Sequence, residues 1–175
     1  MIYKFRMLTG DENAFLRDYE IDSNQNFLDF HKLIQSDLRY DKNLITSFFI
    51  ADENWNKGLE LTLIDMENDG GPAAIPMDSV RIKDLLKQRK DRLLYVYDIF
   101  NDNLFFIELL DIFPPKSAVK YPVCSASVGE PPVVGDFGAS NMPLSNIDPD
   151  DSIDDIFDEY QSEDFDLGEG YDGDE

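Results

Sequence analysis

A single cysteine, Cys124, among 175 residues excludes an internal disulfide and any CxxC pair, and with them a cross-linked scaffold and the usual thiolate zinc site. The single histidine, His31, excludes a histidine-rich metal centre and makes any serine–histidine triad depend on that one side chain. No apolar run approaches the roughly 20 residues that a membrane-spanning helix needs. Met1-Ile2-Tyr3-Lys4-Phe5-Arg6 places charge inside the first apolar stretch, unlike a signal peptide. These absences point to a cytoplasmic chain that keeps off membranes, holds a reduced thiol and needs neither cofactor nor metal.

Positive charge is also scarce, with 15 basic residues against 37 acidic ones and a formal charge of -22. The imbalance is uneven. Residues 146–175 carry 14 acidic and no basic residues, and the rest of the chain is left with a net of -8. Direct nucleic-acid binding is not expected of such a chain, since phosphate contacts need a basic stripe. A basic protein is the natural partner.

What the chain does have is aromatic and aliphatic bulk: 42% hydrophobic residues, with 13 Phe and 8 Tyr. Each such side chain, once buried, stabilises the fold by about 1.5–3 kcal/mol, enough for one core without staples. One domain over 1–140 and an acidic, largely disordered tail over 141–175 are expected.

Alternation over Ile2 to Leu8 places Tyr3, Phe5 and Met7 on one face against Lys4 and Arg6, the signature of a half-buried strand, and resumes from Ala14 to Ile21. These two runs predict a hairpin. Asp22-Ser23-Asn24-Gln25-Asn26 then supplies capping residues ahead of Phe27, Phe30, Ile34 and Leu38 at helical spacing, widened by Leu28 and Leu33. Strands are expected over Thr46–Ala51 and Leu59–Ile64, with a loop forced by Gly70-Gly71-Pro72, a run that lacks the lysine of a phosphate-cradling loop. A second helix with Ile82, Leu85 and Leu86, capped by Asp78 or Ser79, is expected to end in the basic stretch Lys87–Arg92. Leu93–Tyr97 and Leu104–Leu110 predict a second hairpin around Asn101-Asp102-Asn103. Tyr121–Ser140 is rich in Pro, Gly and Ser, shows neither period, and reads as an irregular covering segment. The fold class is α+β, a mixed sheet with a β-grasp-like hairpin, helix, strand start.

Four stretches resemble the plasmid pRiA4b open-reading-frame-three-like family, also known as passenger proteins of insertion elements. They are Phe27-Leu28-Asp29-Phe30-His31-Lys32-Leu33-Ile34-Gln35, Ser47-Phe48-Phe49, Tyr95-Val96-Tyr97-Asp98, and a closing part. That closing part is Tyr121-Pro122-Val123-Cys124, followed by Gly129-Glu130-Pro131-Pro132 and Asp136-Phe137-Gly138. The resemblance spans most of Met1–Gly138 and implies an α+β fold; it implies no particular biochemical activity.

Candidate chemistry is sparse. His31 sits on the apolar helix, where a structural role competes with a site role kept open by the family's recurring histidine. Cys124 has only Lys120 near it in sequence to lower its pKa, so a packed thiol competes with a nucleophile. Asp98, Asp102, Glu108 and Asp111 form the densest carboxylate group before the tail, and turn capping plus a solvated strand face account for them as readily as acid–base work. In the tail, Ile153, Ile156, Phe157 and Tyr160 recur at i, i+3, i+4 and i+7 among acidic residues. This pattern suits an amphipathic acidic helix that orders in an apolar groove rimmed by cations, and equally a solubilising end. The expected function is a non-enzymatic protein-interaction module with Ile153, Ile156, Phe157 and Tyr160 on its partner-binding face. Two alternatives stand beside it: an enzyme or small-ligand binder with His31, Tyr97, Asp98 and Cys124 in one cleft, and an acidic mimic of nucleic acid.

Overall fold

The computed structural model describes residues 1–10, 14–63, 74–134 and 153–162. The Gly70-Gly71-Pro72 loop, Asp136-Phe137-Gly138 and residues 163–175 lie outside the described residues. The chain divides into two compact units, Met1–Asn141 and Met142–Glu175.

The first unit opens with β1 (Ile2–Leu8) and β2 (Leu16–Asp22), an antiparallel hairpin in continuous register from Ile2 opposite Asp22 to Leu8 opposite Leu16. Helix α1 (Phe27–Leu38) follows at once. Asn26 caps it: its side chain accepts the Asp29 amide at 2.9 Å, and the Asp29 carboxylate accepts the Asn26 amide at 3.4 Å. Then come β3 (Ser47–Ala51), β4 (Lys57–Thr62), the two-residue β5 (Ile75–Pro76), the short α2 (Ile82–Leu85), β6 (Arg92–Asp98), β7 (Asn103–Phe113) and β8 (Val123–Val128). The eight strands among the described residues make one sheet in the order β5-β4-β3-β6-β7-β1-β2-β8. Every pairing is antiparallel except β4 with β5, so the sheet is mixed and the fold is α+β.

Helices α1 and α2 bury their apolar side chains on one face of this sheet. Phe30 of α1 stacks on Phe5 of β1 at 4.8 Å and on Phe48 of β3 at 5.5 Å, and the same face receives Tyr19, Tyr95, Tyr97 and Phe105. Ile82 and Leu86 close it at α2, where the Tyr3 hydroxyl donates to the Leu86 carbonyl at 3.1 Å. The predicted stripe of Phe27, Phe30, Ile34 and Leu38 is fully buried, with Leu28 and Leu33 partly so.

Three expectations need correction. Tyr121–Ser140 is not wholly irregular, because Val123–Val128 forms β8 along β2. Its backbone makes the ladder while Cys124, Ser125, Ala126 and Ser127 are too small to leave a hydrophobic period. Helix α2 starts from Arg81, whose amide is accepted by Asp84 at 3.3 Å, and neither Asp78 nor Ser79 is its N-cap. An antiparallel bridge between Asn26 and Arg81 fixes that start from outside the helix. The basic stretch then forms a turn, with the Lys87 and Gln88 amides donated to Asp91, and Arg92 already belongs to β6.

Candidate functional site

His31 projects from α1 into the core and is 3% exposed. Its Nδ1 lies 2.8 Å from the Tyr95 hydroxyl and 3.2 Å from Thr46 Oγ1, so two hydroxyls from β6 and the edge of β3 converge on one ring nitrogen. Burial, aided by nearby Lys32, lowers its pKa to about 4, and burial raises that of Tyr95. At neutral pH the imidazole is uncharged and hydrogen bonded.

Tyr97 is also fully buried, packed 4.6 Å from Phe105 and 5.5 Å from Tyr40. Asp98 turns into its own hairpin: its Oδ1 accepts the Phe100 and Asn101 amides at 3.1 and 3.3 Å, and its Oδ2 accepts Asn101 Nδ2 at 2.7 Å. This is the Asx-type turn cap anticipated for the segment, completed by Asp102 at a left-handed φ of 52°. Cys124, on β8, donates to the Ala126 carbonyl at 3.2 Å, and burial with Asp37 nearby pushes its pKa up to about 11. His31 pairs with Tyr95 and Thr46, Asp98 with its own turn, and Cys124 with its own strand.

A denser polar cluster joins β2, the end of α1 and the segment after β8. Arg17 donates from Nε to Asp37 at 3.2 Å, and from its terminal nitrogens to the carbonyls of Leu16, Val128 and Gly129 at 2.9, 2.8 and 3.1 Å. The Tyr19 hydroxyl donates to the same Asp37 oxygen at 2.8 Å, and Tyr40 donates to the Pro132 carbonyl at 2.6 Å. Gly129 has φ 72°, and a Cβ there would lie 1.9 Å from the Ala14 carbonyl oxygen. The Gly129-Glu130-Pro131-Pro132 stretch that carries the family resemblance is therefore fastened to the domain by Arg17 and Tyr40.

On the opposite face of the sheet, Asp18, Arg6, Glu108 and Arg92 stand in register across β2, β1, β7 and β6, alternating in sign. Arg6 binds Asp18 through two bonds of 2.9 Å, and Arg92 binds Glu108 at 3.1 Å with Lys90 at 3.5 Å. Each of the four row residues is less than a tenth exposed. Arg92 also lies over the Trp55 ring, and Trp55 meets Phe106 edge to face at 5.1 Å. The sequence reading missed this row. Alternation marked Lys4 and Arg6 as one face, but β1 is almost entirely buried, and Glu108 belongs to a buried ion pair, not to a solvated strand face. Of its neighbours, Asp111 pairs with Arg89 and Asp102 with Lys57 at the surface.

In the second unit α3 spans Ile153–Ser162, and Ile153, Ile156, Phe157 and Tyr160 share one helical face on which Ile153 and Phe157 are buried and Ile156 and Tyr160 half-buried, with Asp154 and Asp155 in the first turn, where the helix dipole favours them. No group of three or more residues that could hold a metal occurs among the described residues, and none of their helices is long and apolar enough to cross a membrane.

Among solved structures, the chain is similar to a protein of unknown function from Methanosarcina mazei Go1, with a TM-score of 0.60 and 22% identity over 72% of this chain and 68% of that one. This likeness concerns the fold. No curated protein matches. The family described as plasmid pRiA4b ORF-3-like protein matches residues 2–169, from β1 through α3, which covers the quoted helix, strand and closing motifs. The chain belongs to the plasmid pRiA4b ORF-3-like protein family.

Proposed function

We propose that this chain is a non-enzymatic protein-interaction module, cytoplasmic in location, whose acidic C-terminal segment engages a basic protein partner through the Ile153, Ile156, Phe157 and Tyr160 face of α3. The observation that carries the reading is the pairing of that apolar helical face with a segment holding 14 carboxylates and no cation over residues 146–175. Ile153 and Phe157 are buried in the structure, so this face must be released before an apolar groove rimmed by Lys or Arg takes its side chains, with the rim steering the encounter. The fate of the ionisable groups in the folded unit supports it further: His31 is held neutral inside the core and Asp98 is spent on its own turn.

Capture of partners by the full chain and by a chain ending at Ser145, each at low and high salt, tests the proposal. A partner held only by the full chain and released as salt rises is the expected result. Identical partner sets for both lengths at both salt concentrations would remove the tail from the mechanism. Competition between the full chain and DNA for a captured basic protein, lost on truncation, would identify the segment as a mimic of nucleic acid.

A further inference from the structure

Strand β8 is held to the domain differently from its neighbours. It pairs with β2 alone among the described strands, at the end of the sheet, and its register slips between Asp18 and Tyr19. None of its six residues is buried, whereas β2 is buried at six of seven positions. Most of residues 114–120, which lead into it, are exposed. Few buried apolar contacts and a single ladder are the features of segments that open below the global unfolding free energy.

What holds this segment is a pair of side chains rooted elsewhere. Arg17 grips the Val128 and Gly129 carbonyls from β2 while Asp37 of α1 steadies its Nε. Farther on, the Tyr40 hydroxyl takes the Pro132 carbonyl at 2.6 Å from just beyond α1, with its ring lodged against Tyr97. Pro131 and Pro132 have no amide to donate, and the Pro132 carbonyl accepts from a side chain.

We propose that β8 and the strap 129–134 open as one unit while β1 to β7 and α1 stay folded, with Arg17 and Tyr40 as the two fastenings. Opening uncovers the outer edge of β2 together with Tyr19 and Asp37. The released domain then presents the unpaired outer edge of β2.

Native-state hydrogen exchange of the full chain by NMR, in a series of low urea concentrations, reads this directly. The ladder amides of β8 are expected to exchange at least roughly a hundredfold faster than those of β1 and β7, with a much shallower dependence on urea. Tyr40→Phe and Arg17→Lys should each speed β8 exchange, by about tenfold for the lost tyrosine hydrogen bond, and speed by no more than the same factor those β1 and β7 amides that exchange through global unfolding, which breaks the same bond. Exchange of β8 and β1 at one rate with one urea slope would overturn the separate opening. Variants that leave β8 exchange unaltered would overturn the fastening role of these two residues.

Discussion

His31 of α1 and Tyr95 of β6, 64 positions apart in the chain, meet at 2.8 Å between Nδ1 and hydroxyl inside the aromatic core. The contact joins helix to sheet by a polar bond, shared with the Thr46 hydroxyl, amid aromatic rings that include Phe48 at 4.9 Å from Tyr95. An imidazole in this setting is tolerated only while uncharged.

A pH dependence follows. The pKa of His31 falls from 6.5 in the unfolded chain to about 4 in the fold, so the unfolded state binds the extra proton first. The associated stability is complete above pH ~6.5 and is lost progressively down to pH ~4, a total of roughly 3 kcal/mol. Urea unfolding of the wild type and of His31→Gln between pH 4 and 7 checks this. Their stability difference should shrink as pH falls; a difference independent of pH would contradict the depressed pKa.

The buried ion row predicts asymmetric mutant costs. Asp18→Leu leaves the Arg6 guanidinium without its bidentate carboxylate in a buried position and should cost about 3–5 kcal/mol. Adding Arg6→Met should restore much of that loss. Denaturant midpoints of the single and double variants decide, and a double variant as weak as Asp18→Leu alone would mean that the charges are not a self-contained pair.

Gly129 makes a sharper demand on the backbone. With φ at 72° and the Ala14 carbonyl where a Cβ would go, Gly129→Ala should destabilise the domain by roughly 2 kcal/mol or more. Thermal and urea unfolding measure the loss. Near-wild-type stability would show that the strap can be re-routed at no cost.

Asp98→Ala removes the acceptor of three hydrogen bonds in the β6–β7 hairpin and should lower stability by about 1–3 kcal/mol. Partner capture through the acidic segment should be unaffected, since Asp98 serves the turn. Loss of capture by a folded Asp98→Ala protein would instead give this carboxylate a part in recognition.

Much of the architecture was legible because local chemistry decides it. Asn26 ahead of Phe27 and Phe30 announces α1 by capping and spacing, the run from Ile2 announces a strand by alternation, and the apolar run from Leu93 does so by the turn residues Asn101-Asp102-Asn103 that follow it. The apolar face of α3 follows from 3.6-residue periodicity alone. The face on which Arg6 and Glu108 lie was equally legible, but its burial was not. Period two tells which residues share a side of a strand and nothing about what later covers that side.

The amino-acid order by itself determined the α+β class, the hairpin and helix positions, the lone histidine and cysteine, and the concentration of carboxylate at the C-terminal end. Only the tertiary structure decided that β7 lies between β1 and β6, that β8 completes the sheet, and that Asp18, Arg6, Glu108 and Arg92 align. The physical reason is range: caps, turns and periods act over a few residues. Strand order, charge pairing and the meeting of His31 with Tyr95 depend on which distant surfaces pack together once the chain collapses.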